Sequence, residues 1–508
     1  MKAKRKAGIL MPVSSLPSPG GIGTLGKGAY RFIDWLKSAG MSVWQVLPLL
    51  PTGYGDSPYQ GCASDALNYY FIDPYLLAEE GLLTAEECAS SDCADRRRVD
   101  YGKLFRERAA LLKRAFARFD RSAASWKKFL AEGVYEDFAL FMSLKVRFGY
   151  SSWTEWPAPY RDCERETLDA YARENREEIG FWQFTQYMFL RQWRALRKYA
   201  HAKGVEIMGD MPIYVSADSV EMWKYRKELF LLDENGALSS VAGVPPDAFS
   251  DNGQLWGNPV YDWEKMKKDD YRWWRRRIRR AFDLFDMVRI DHFRGFDRFY
   301  AIPAGDDNAR RGVWLDGPKA ELFRGLENCR IIAEDLGVID DGVRALMRET
   351  GYPGMRVLEF SFDGRADNEH KPFNYPENCV AYTGTHDNQP FAAYVEGLEG
   401  WGKETFLKDF RTECRVAGIR FCTHTPQAAC QTAVRLLFAS KARTVIVPMQ
   451  DVLALGEEAR INHPSVFSAE NWSYRFREED FGKSTAVRLK RLAERYRRAG
   501  NRKGRTEF

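Results

Sequence analysis

The sequence predicts an α/β protein whose core is a (β/α)8 TIM barrel, with helical insertions between strands 2 and 3 and between strands 7 and 8. Two observations lead to this fold class. Eight short apolar runs recur along the chain, and longer stretches with helical spacing of apolar residues separate them. The 508 residues, 45% of them hydrophobic and 29% charged, are enough to bury a core of this size.

The eight runs, in order, are the predicted barrel strands. They read GILMPV (8–13), SVWQVLPLLP (42–51), VEIMGDMP (205–212), DMVRID (286–291), RIIAED (330–335), MRVLEF (355–360), CVAYTGTHD (379–387) and RTVIVPMQ (443–450). Because parallel strands are buried on both faces, they are typically continuous apolar runs, and many of these end in Gly, Pro or a charged residue.

The unequal gaps between the runs locate the insertions. The long gap between the second and third runs contains segments 104–119 and 181–204, whose apolar residues recur at helical spacing. We expect five regions: 1–65 as the start of the barrel (strands 1 and 2), 66–204 as a mainly helical insertion, 205–389 as strands 3 to 7, 390–440 as a small insertion, and 441–508 as the end of the barrel with a C-terminal tail. The polar, basic stretch 497–508 is expected to fray.

Composition and charge favour a soluble cytoplasmic protein. The formal net charge is only +5, which sets up no strong field for nucleic acid or membranes. No apolar run is long enough for a membrane span, and the basic N-terminus is followed by too short an apolar stretch for a signal peptide. The nine cysteines form no CxxC pair, so reduced thiols are expected rather than disulfides or a zinc site.

Carboxylates close four of the predicted strands: Asp210, Asp291, the pair Glu334 and Asp335, and Asp387. For any one of them, capping a helix or pairing with an Arg is a sufficient explanation. In a barrel of this type, however, the C-terminal strand ends share one rim, where the chemistry takes place. Carboxylates gathered there repel one another, so positive partners or a catalytic role must explain them.

The fourth and fifth runs supply a pair of carboxyls with different expected protonation. Arg289 lies two residues before Asp291 and therefore on the same face of the strand, where it can keep Asp291 ionised. Glu334, inside an apolar run, is expected to be pushed toward its protonated form. An ionised carboxylate facing a protonated carboxyl can cleave a glycosidic bond with retention of configuration. Asp387, beside His386, is a candidate for binding ring hydroxyls more strongly in the transition state.

Aromatic residues make up 14% of the chain, and several lie in predicted rim loops: Tyr54 and Tyr59 in PTGYGDSPYQG, Trp256 in GQLWGNP, and Trp472 in ENWSYRF. Packing explains most tryptophans. An aromatic ring beside Asn, Gln and Asp also suits a sugar, which has apolar C–H faces edged by hydroxyls. No cofactor is expected, and Arg289 and Arg294 argue against a metal ion at the carboxylate cluster.

Seven segments together resemble the amylomaltases, or 4-α-glucanotransferases (disproportionating enzymes) of glycoside hydrolase family 77 in the α-amylase clan. They are SSLPSPGGIGTLG (14–26), PLLPTGYGDSPYQ (48–60), GDMPIYV (209–215), VAGVPPDAFSDNGQLWGNP (241–259), RIDHFRGF (289–296), AEDLG (333–337) and GTHDN (384–388). The segment 241–259 is long and unusual enough to be specific. This resemblance implies a retaining enzyme that moves an α-1,4-glucan segment from a donor to an acceptor sugar.

Carried over by position, the resemblance implies that Asp291 is the nucleophile, Glu334 the general acid/base and Asp387 the transition-state stabiliser. Substrate binding is implied for Arg289, His386, Tyr59, Asp210, Trp256, Asn258, Asp247, Gln254 and His292. The loop within 241–259 is similar to the family's lid over the active site. After Asn462 the sequence HPSVFSAENW departs from the family's usual NTPGT stretch, which leaves acceptor preference and product length open.

Two rival classes of function stay open at this point. An α-glucan hydrolase or phosphorylase-like enzyme shares the carboxylates and differs only in its acceptor. A polyanion binder is suggested by the basic runs 271–282 and 488–498, although their helical spacing is typical of solvated helix surfaces. The glycines of GGIGTLG (20–26) follow a Pro-rich turn rather than a strand, which argues against a phosphate loop. We expect glucans as partners, no nucleic acid or membrane, and a monomer or weak homo-oligomer.

Overall fold

The computed structural model describes residues 4–53, 55–92, 97–246 and 250–500. Within them, eight parallel strands form a nearly closed barrel in the order β10, β11, β12, β1, β2, β3, β6, β9. The barrel strands are β1 (Lys6–Leu10), β2 (Val43–Gln45), β3 (Glu206–Met211), β6 (Met287–Ile290), β9 (Ile331–Ala333), β10 (Gly354–Val357), β11 (Cys379–Tyr382) and β12 (Thr444–Pro448). Each coincides with one of the eight apolar runs, so the predicted (β/α)8 barrel is confirmed.

A second sheet that the sequence did not predict stands beside the barrel. Its four antiparallel strands, in the order β5, β4, β7, β8, are β4 (Ser240–Val244), β5 (Gln254–Pro259), β7 (Arg298–Pro303) and β8 (Val313–Asp316). The first two precede barrel strand β6 and the last two follow it. Residues 241–259, expected as a loop, therefore contain two paired strands. Gly243 packs so closely on β5 that a Cβ there would lie 2.2 Å from the Gln254 carbonyl oxygen.

Helices fill the gaps between the strands. They are α1 (Lys27–Ser38), α2 (Pro74–Glu79), α3 (Ala85–Ala89), α4 (Tyr101–Arg118), α5 (Ala124–Ala131), α6 (Glu136–Arg147), α7 (Ala158–Arg161), α8 (Arg165–Glu174), α9 (Arg176–Lys203), α10 (Val220–Leu229), α11 (Trp263–Lys267), α12 (Arg272–Leu284), α13 (Asp341–Thr350), α14 (Phe391–Glu396), α15 (Gly400–Val416), α16 (Pro426–Ala439), α17 (Met449–Leu453) and α18 (Lys483–Arg495). Thus α2 to α9 lie between β2 and β3, and α14 to α16 between β11 and β12, where the helical insertions were predicted.

Both basic runs form helices whose apolar residues face the protein. On α12, Trp274 and Ile278 are buried while Arg272, Arg276 and Arg279 are exposed, as expected for a solvated helix surface. In the predicted tail, Arg498 is buried and donates to the Ala442 carbonyl oxygen (2.8 Å), so the chain is ordered to that point. Residues 501–508, the rest of the segment expected to fray, lie outside the described residues.

The barrel encloses its own core. One hydrophobic cluster takes side chains from all eight strands: Leu10, Val43, Met208, Met287, Ile332, Met355, Val380, Tyr382 and Ile446. A larger cluster joins the outer faces of the strands to the surrounding helices. The barrel is thus a packed core rather than a pore, and it holds its C-terminal strand ends in fixed positions. In the part of the chain that the structure describes, every helix is too short or too polar to cross a lipid bilayer.

Candidate active site

Strand register brings the carboxylates of three neighbouring strands together. Asp210 on β3 is the direct register partner of Arg289 on β6. On the other side of β6, Ile290 is the partner of Ala333 on β9, so Asp291 and Glu334 follow paired residues. The backbone continues this pairing, because the Glu334 N–H donates to the Ile290 carbonyl oxygen (3.1 Å). Asp291 and Glu334 therefore close adjacent strands at the same level of the barrel.

Arg289 is the cation at the centre of the cluster. Its Nη1 donates to both carboxylate oxygens of Asp210 (2.8 Å each), and its Nη2 donates to Asp291 Oδ1 (2.9 Å). The expectation that Arg289 and Asp291 share a face of the strand is confirmed. Burial works against the charge of Arg289, but Asp210 and Asp291 outweigh it and raise the pKa of Arg289 above its ordinary value. The guanidinium thus stays positive between two carboxylates.

The two carboxyls that close β6 and β9 differ in their surroundings. Burial raises the pKa of Asp291 to about 6, and Arg289 opposes that rise. Burial also raises the pKa of Glu334 to about 7, against the opposing charge of Arg289, and the Asp291 charge adds to the rise. Arg289 donates a hydrogen bond to Asp291 and none to Glu334, which favours the ionised form of Asp291 over that of Glu334.

Two backbone N–H groups orient Glu334. His292 N donates to Glu334 Oε2 (2.7 Å), and Leu336 N donates to Glu334 Oε1 (2.8 Å). His292 adopts a left-handed conformation, with φ of 48°, which is uncommon for a residue with a side chain. The residue next to Asp291 therefore holds the carboxyl of Glu334 through its main chain. By contrast, Asp335 turns away from the rim and accepts from Met355 N (2.6 Å) and from Arg356.

Asp387 lies beyond β11 and is held from two sides. Asn462 Nδ2 donates to Asp387 Oδ1 (2.7 Å), and His386 Nε2 lies 3.2 Å from Asp387 Oδ2. Arg460 also donates to the Asp387 carbonyl oxygen (3.2 Å). Because the Asp387 side chain remains 44% exposed, its carboxylate is fixed in orientation yet open to a ligand.

Tyr59 connects the Asp387 side of the rim to the Arg289 side. Its ring is stacked on the His386 ring, with centroids 5.0 Å apart and planes 9° apart. Its hydroxyl donates to Asp210 Oδ2 (2.9 Å). Burial, followed by the nearby Asp210 charge, raises the pKa of Tyr59 well above its ordinary value, so the hydroxyl keeps its proton. Tyr59 therefore fixes both His386 and Asp210.

The antiparallel sheet contributes an aromatic side chain to the site. Trp256, on β5, packs edge-to-face on His292 with ring centroids 4.8 Å apart. Its indole N–H donates to Gln254 Oε1 (3.1 Å). Burial lowers the pKa of His292 to about 3, so this imidazole is neutral. Trp256 and His292 thus present a ring surface and an uncharged imidazole next to the carboxyl pair.

The structure also separates the predicted site residues by their position. Asp210 has a side-chain exposure of 0% and Asn258 is buried, with its amide hydrogen-bonded to Gln60 and to the Val215 carbonyl oxygen. Both side chains are therefore buried and hydrogen-bonded within the protein, and their role in substrate binding stays a prediction. Asp247 lies outside the described residues.

Sequence reasoning did not select three of the residues that support the site. Asn462 and Arg460 hold Asp387, and Gln60 exchanges two hydrogen bonds with Asn258 (3.1 Å each). Asn462 and Arg460 lie more than 70 positions from Asp387, after the last strand, where no apolar run marks a rim position. Among the described residues, no group of three or more His, Cys, Asp and Glu side chains is arranged to hold a metal ion.

Comparison with known proteins agrees with this geometry. The 4-alpha-glucanotransferase family profile matches residues 11–480. A 4-alpha-glucanotransferase of Clostridium butyricum is 39% identical over 498 residues, which cover 96% of this chain and 100% of the relative. The 4-alpha-glucanotransferase of Thermus thermophilus is 41% identical over 507 residues, covering 97% and 99% of the two chains.

Solved structures give the same result. An amylomaltase from Streptococcus agalactiae in complex with acarbose superposes with a TM-score of 0.91 at 39% identity, covering 98% of this chain and all of that one. The amylomaltase from Corynebacterium glutamicum shares the fold with a TM-score of 0.75 at 17% identity, covering 97% of this chain and 75% of the other.

Proposed function

This chain belongs to the family of 4-alpha-glucanotransferases, which are glycosyltransferases, and we propose that Asp291, Glu334 and Asp387 carry out its reaction by double displacement. The observation that supports these roles best is the ordered pair at the ends of β6 and β9. Asp291 is bonded to Arg289 and is the more acidic carboxyl, while Glu334 holds its proton near neutral pH. That is the division of labour a retaining enzyme needs.

In the first step, an Asp291 oxygen attacks the anomeric carbon of an α-1,4-glucan bound across the rim. The bond from that carbon to the departing O4 breaks, and Glu334 gives its proton to O4. A covalent glucosyl-enzyme with inverted configuration results. Residues that close adjacent parallel strands lie about 4.8 Å apart, which suits the separation of about 5.5 Å between carboxyls in retaining enzymes.

In the second step, the 4-hydroxyl of an acceptor sugar attacks the same carbon. Glu334, now ionised, takes the hydroxyl proton, and the bond to Asp291 breaks, which restores the α configuration. Asp387, fixed by Asn462 and open to solvent, accepts hydrogen bonds from ring hydroxyls that strengthen as the sugar distorts.

Transfer rather than hydrolysis requires that a sugar hydroxyl outcompete water at the anomeric carbon. The hairpin of β4 and β5 carries Trp256 to the carboxyl pair, and its indole is fixed by Gln254. An aromatic surface here stacks on the C–H face of an acceptor ring and holds its hydroxyl at reacting distance, which gives that hydroxyl a large effective molarity over water. In this proposal, residues 241–259 act as a lid through this hairpin.

Maltotriose as the only substrate tests these roles. We expect the unaltered protein to produce glucose together with chains longer than maltotriose. Asp291→Asn should lower turnover by at least about a thousandfold and Glu334→Gln by about a hundredfold or more, since one removes the nucleophile and the other the proton donor. The measurement is chromatography of the products against time.

Asp335→Asn is the matched control, because it removes a carboxyl from the residue next to Glu334 without touching the rim. Its folded fraction should turn over at close to the unaltered rate. Near-normal turnover in Asp291→Asn would refute the assignment of the nucleophile. Products restricted to glucose and maltose in the unaltered protein would show that water, not sugar, is the acceptor.

Two further expectations complete the proposal. We propose a monomer or weak homo-oligomer, which sedimentation velocity can check, and a location in the cytoplasm, which fractionation of cells can check. Both rest on composition and net charge, and neither affects the chemistry of the site.

A further inference from the structure

Glu359 is a buried carboxyl that the reaction steps leave unused. It lies two residues after the end of β10, and its backbone N–H donates to the Thr383 carbonyl oxygen (3.1 Å), which ties it to the end of β11. Its Oε1 accepts a hydrogen bond from Asn388 Nδ2 (3.0 Å). Its Oε2 is buried and has no hydrogen-bond partner among the described residues. A buried acidic oxygen without a donor is uncommon and requires an explanation.

The contact with Asn388 leads directly to the segment that carries Asp387. Asn388 Oδ1 accepts two hydrogen bonds from Thr385, one from its backbone N–H (2.8 Å) and one from its hydroxyl (2.9 Å). The Thr385 hydroxyl oxygen in turn accepts from the Asp387 N–H (3.3 Å). A continuous series of hydrogen bonds therefore runs from Glu359 through Asn388 and Thr385 to the Asp387 backbone.

This series is separate from the groups that hold the Asp387 carboxylate. Asn462 and His386 contact the side chain, whereas the series from Glu359 contacts only the main chain. The two sets of contacts together fix the position and the rotation of one carboxylate. We propose that Glu359 is a positioning residue, which acts through Asn388 to hold Asp387 in place for the reaction. This inference rests on the role proposed for Asp387.

The charges around Glu359 favour the uncharged form. Burial raises the pKa of Glu359 to about 8; the hydrogen bond from Asn388 opposes the rise, and Asp451 adds to it. Arg460 lowers this pKa, and Glu457 raises it further. A neutral carboxyl at this position carries its proton on Oε2, the oxygen that does not accept from Asn388. It also adds no second negative charge behind Asp387.

Substitutions at 359 distinguish this role from simple packing. Gln has the same shape as a neutral carboxylic acid and keeps an acceptor for Asn388, so Glu359→Gln should keep kcat for maltotriose disproportionation within about twofold. Glu359→Ala removes the acceptor, and we expect kcat to fall about tenfold or more, with a smaller change in KM because the donor-binding residues are untouched. A structural role alone would not separate kcat from KM in this way. Full activity of Glu359→Ala, or an equal loss in Glu359→Gln and Glu359→Ala, would overturn the inference.

Two further variants cover the remaining outcomes. If Glu359→Ala does not fold, Asn388→Ala removes the same link, and it should reproduce the loss of kcat; if its kcat is unchanged, the inference is wrong. Asp387→Asn tests the premise, because its activity must be lost if Asp387 stabilises the transition state. An active Asp387→Asn would refute the proposed function, whereas an inactive Asp387→Asn with a fully active Glu359→Ala would refute only the role of Glu359.

Discussion

At the scale of single residues, one arginine sets the electrostatics of the site. Arg289 binds Asp210 and Asp291 at the same time, so it is neutralised by one buried carboxylate while it keeps the second one acidic. Asp210, whose side chain is fully buried, accepts from Nη1 of the guanidinium, while Nη2 is left to contact Asp291. Asp210 therefore fixes the direction of the Arg289 guanidinium.

The pH dependence of activity follows from these contacts. In the proposed mechanism Asp291, whose pKa burial raises to about 6, must be ionised to attack, so kcat/KM should fall below that pH. Glu334, with a pKa of about 7, must be protonated to donate, so kcat/KM should also fall above that pH. We expect a narrow bell-shaped profile of kcat/KM against pH, with its maximum between these two pKa values. The measurement is the initial rate of glucose release from maltotriose at each pH.

Variants of Arg289 test which group causes the fall of kcat/KM at low pH, the acidic limb of the profile. Arg289 lowers the pKa of Asp291, so Arg289→Met should move the acidic limb to higher pH, by about one unit or more. Arg289→Lys keeps the positive charge but cannot donate to Asp210 and Asp291 with the same geometry. The acidic limb of its profile should therefore move less than that of Arg289→Met. An acidic limb that stays in place in Arg289→Met would show that a group other than Asp291 is responsible for it.

The sequence also predicted the site at this scale, but only in part. Arg289, Asp291, Glu334 and Asp387 could be found because strand periodicity and strand ends place side chains before any tertiary contact is known. Asn462 and Arg460 could not, because they reach Asp387 from a loop after the last strand, and loop geometry has no repeating pattern. The stacking of Tyr59 on His386 likewise depends on contact between residues far apart in the chain.

At the scale of elements, the barrel strands and the antiparallel strands differ in how far sequence reveals them. Parallel strands are buried on both faces, so they appear as continuous apolar runs, and all eight were located. The strands of the second sheet are SVAGV, QLWGNP, RFYAIP and VWLD, which are short and contain Gly, Pro and charged residues. Neither an unbroken apolar run nor a strict alternation marks them.

The segment from His463 to Asn471 is the element that we expect to set product length. Asn471 closes it through hydrogen bonds with His463 and Val466, and Ser465 reaches Gln254 (3.5 Å). It follows Asn462, which holds Asp387, and it exposes 73% of Phe467. We expect the exposed part of the Phe467 ring to contact a glucan chain that leaves the proposed site.

Phe467→Ser tests this expectation. Loss of one stacking contact should raise the KM for long acceptors roughly three- to tenfold and shorten the products, while glucose as acceptor is affected little. The measurement is the chain-length distribution formed from maltotriose with added maltoheptaose. Trp401→Ser, at an equally exposed aromatic on α15, is the control and should leave the distribution unchanged. Unchanged products in Phe467→Ser would exclude the segment from acceptor binding.

At the scale of the whole molecule, the fold buries several carboxyl groups at and near the proposed site, where their ionisation is unfavourable. The barrel core and the surrounding helices hold Asp291, Glu334, Glu359 and Asp451 in surroundings that raise the pKa of each carboxyl, in every case chiefly by burial. Each ionisation near neutral pH therefore lowers the free energy of unfolding. A rigid barrel tolerates this cost because its strands are stabilised by packing that does not involve the rim.

Glu334→Gln should consequently make the protein more stable while it removes activity. An unfolded Glu has a pKa of about 4.3, below the folded value of about 7, so the folded state binds the proton more tightly. Below pH 4.3 both states are protonated and the carboxyl has no net effect. Between the two values the folded state loses stability as pH rises, and above pH 7 the full penalty is present. Glu334→Gln removes that penalty, so its Tm should exceed that of the unaltered protein clearly at pH 8 and much less at pH 5.

Scanning calorimetry at both pH values measures this difference in Tm. Glu349→Gln, at an exposed glutamate on α13, is the control that should shift Tm little at either pH. A Tm difference for Glu334→Gln that is equal at pH 5 and pH 8 would mean that shape rather than charge separates the two proteins, and would contradict the protonation state assigned to the general acid.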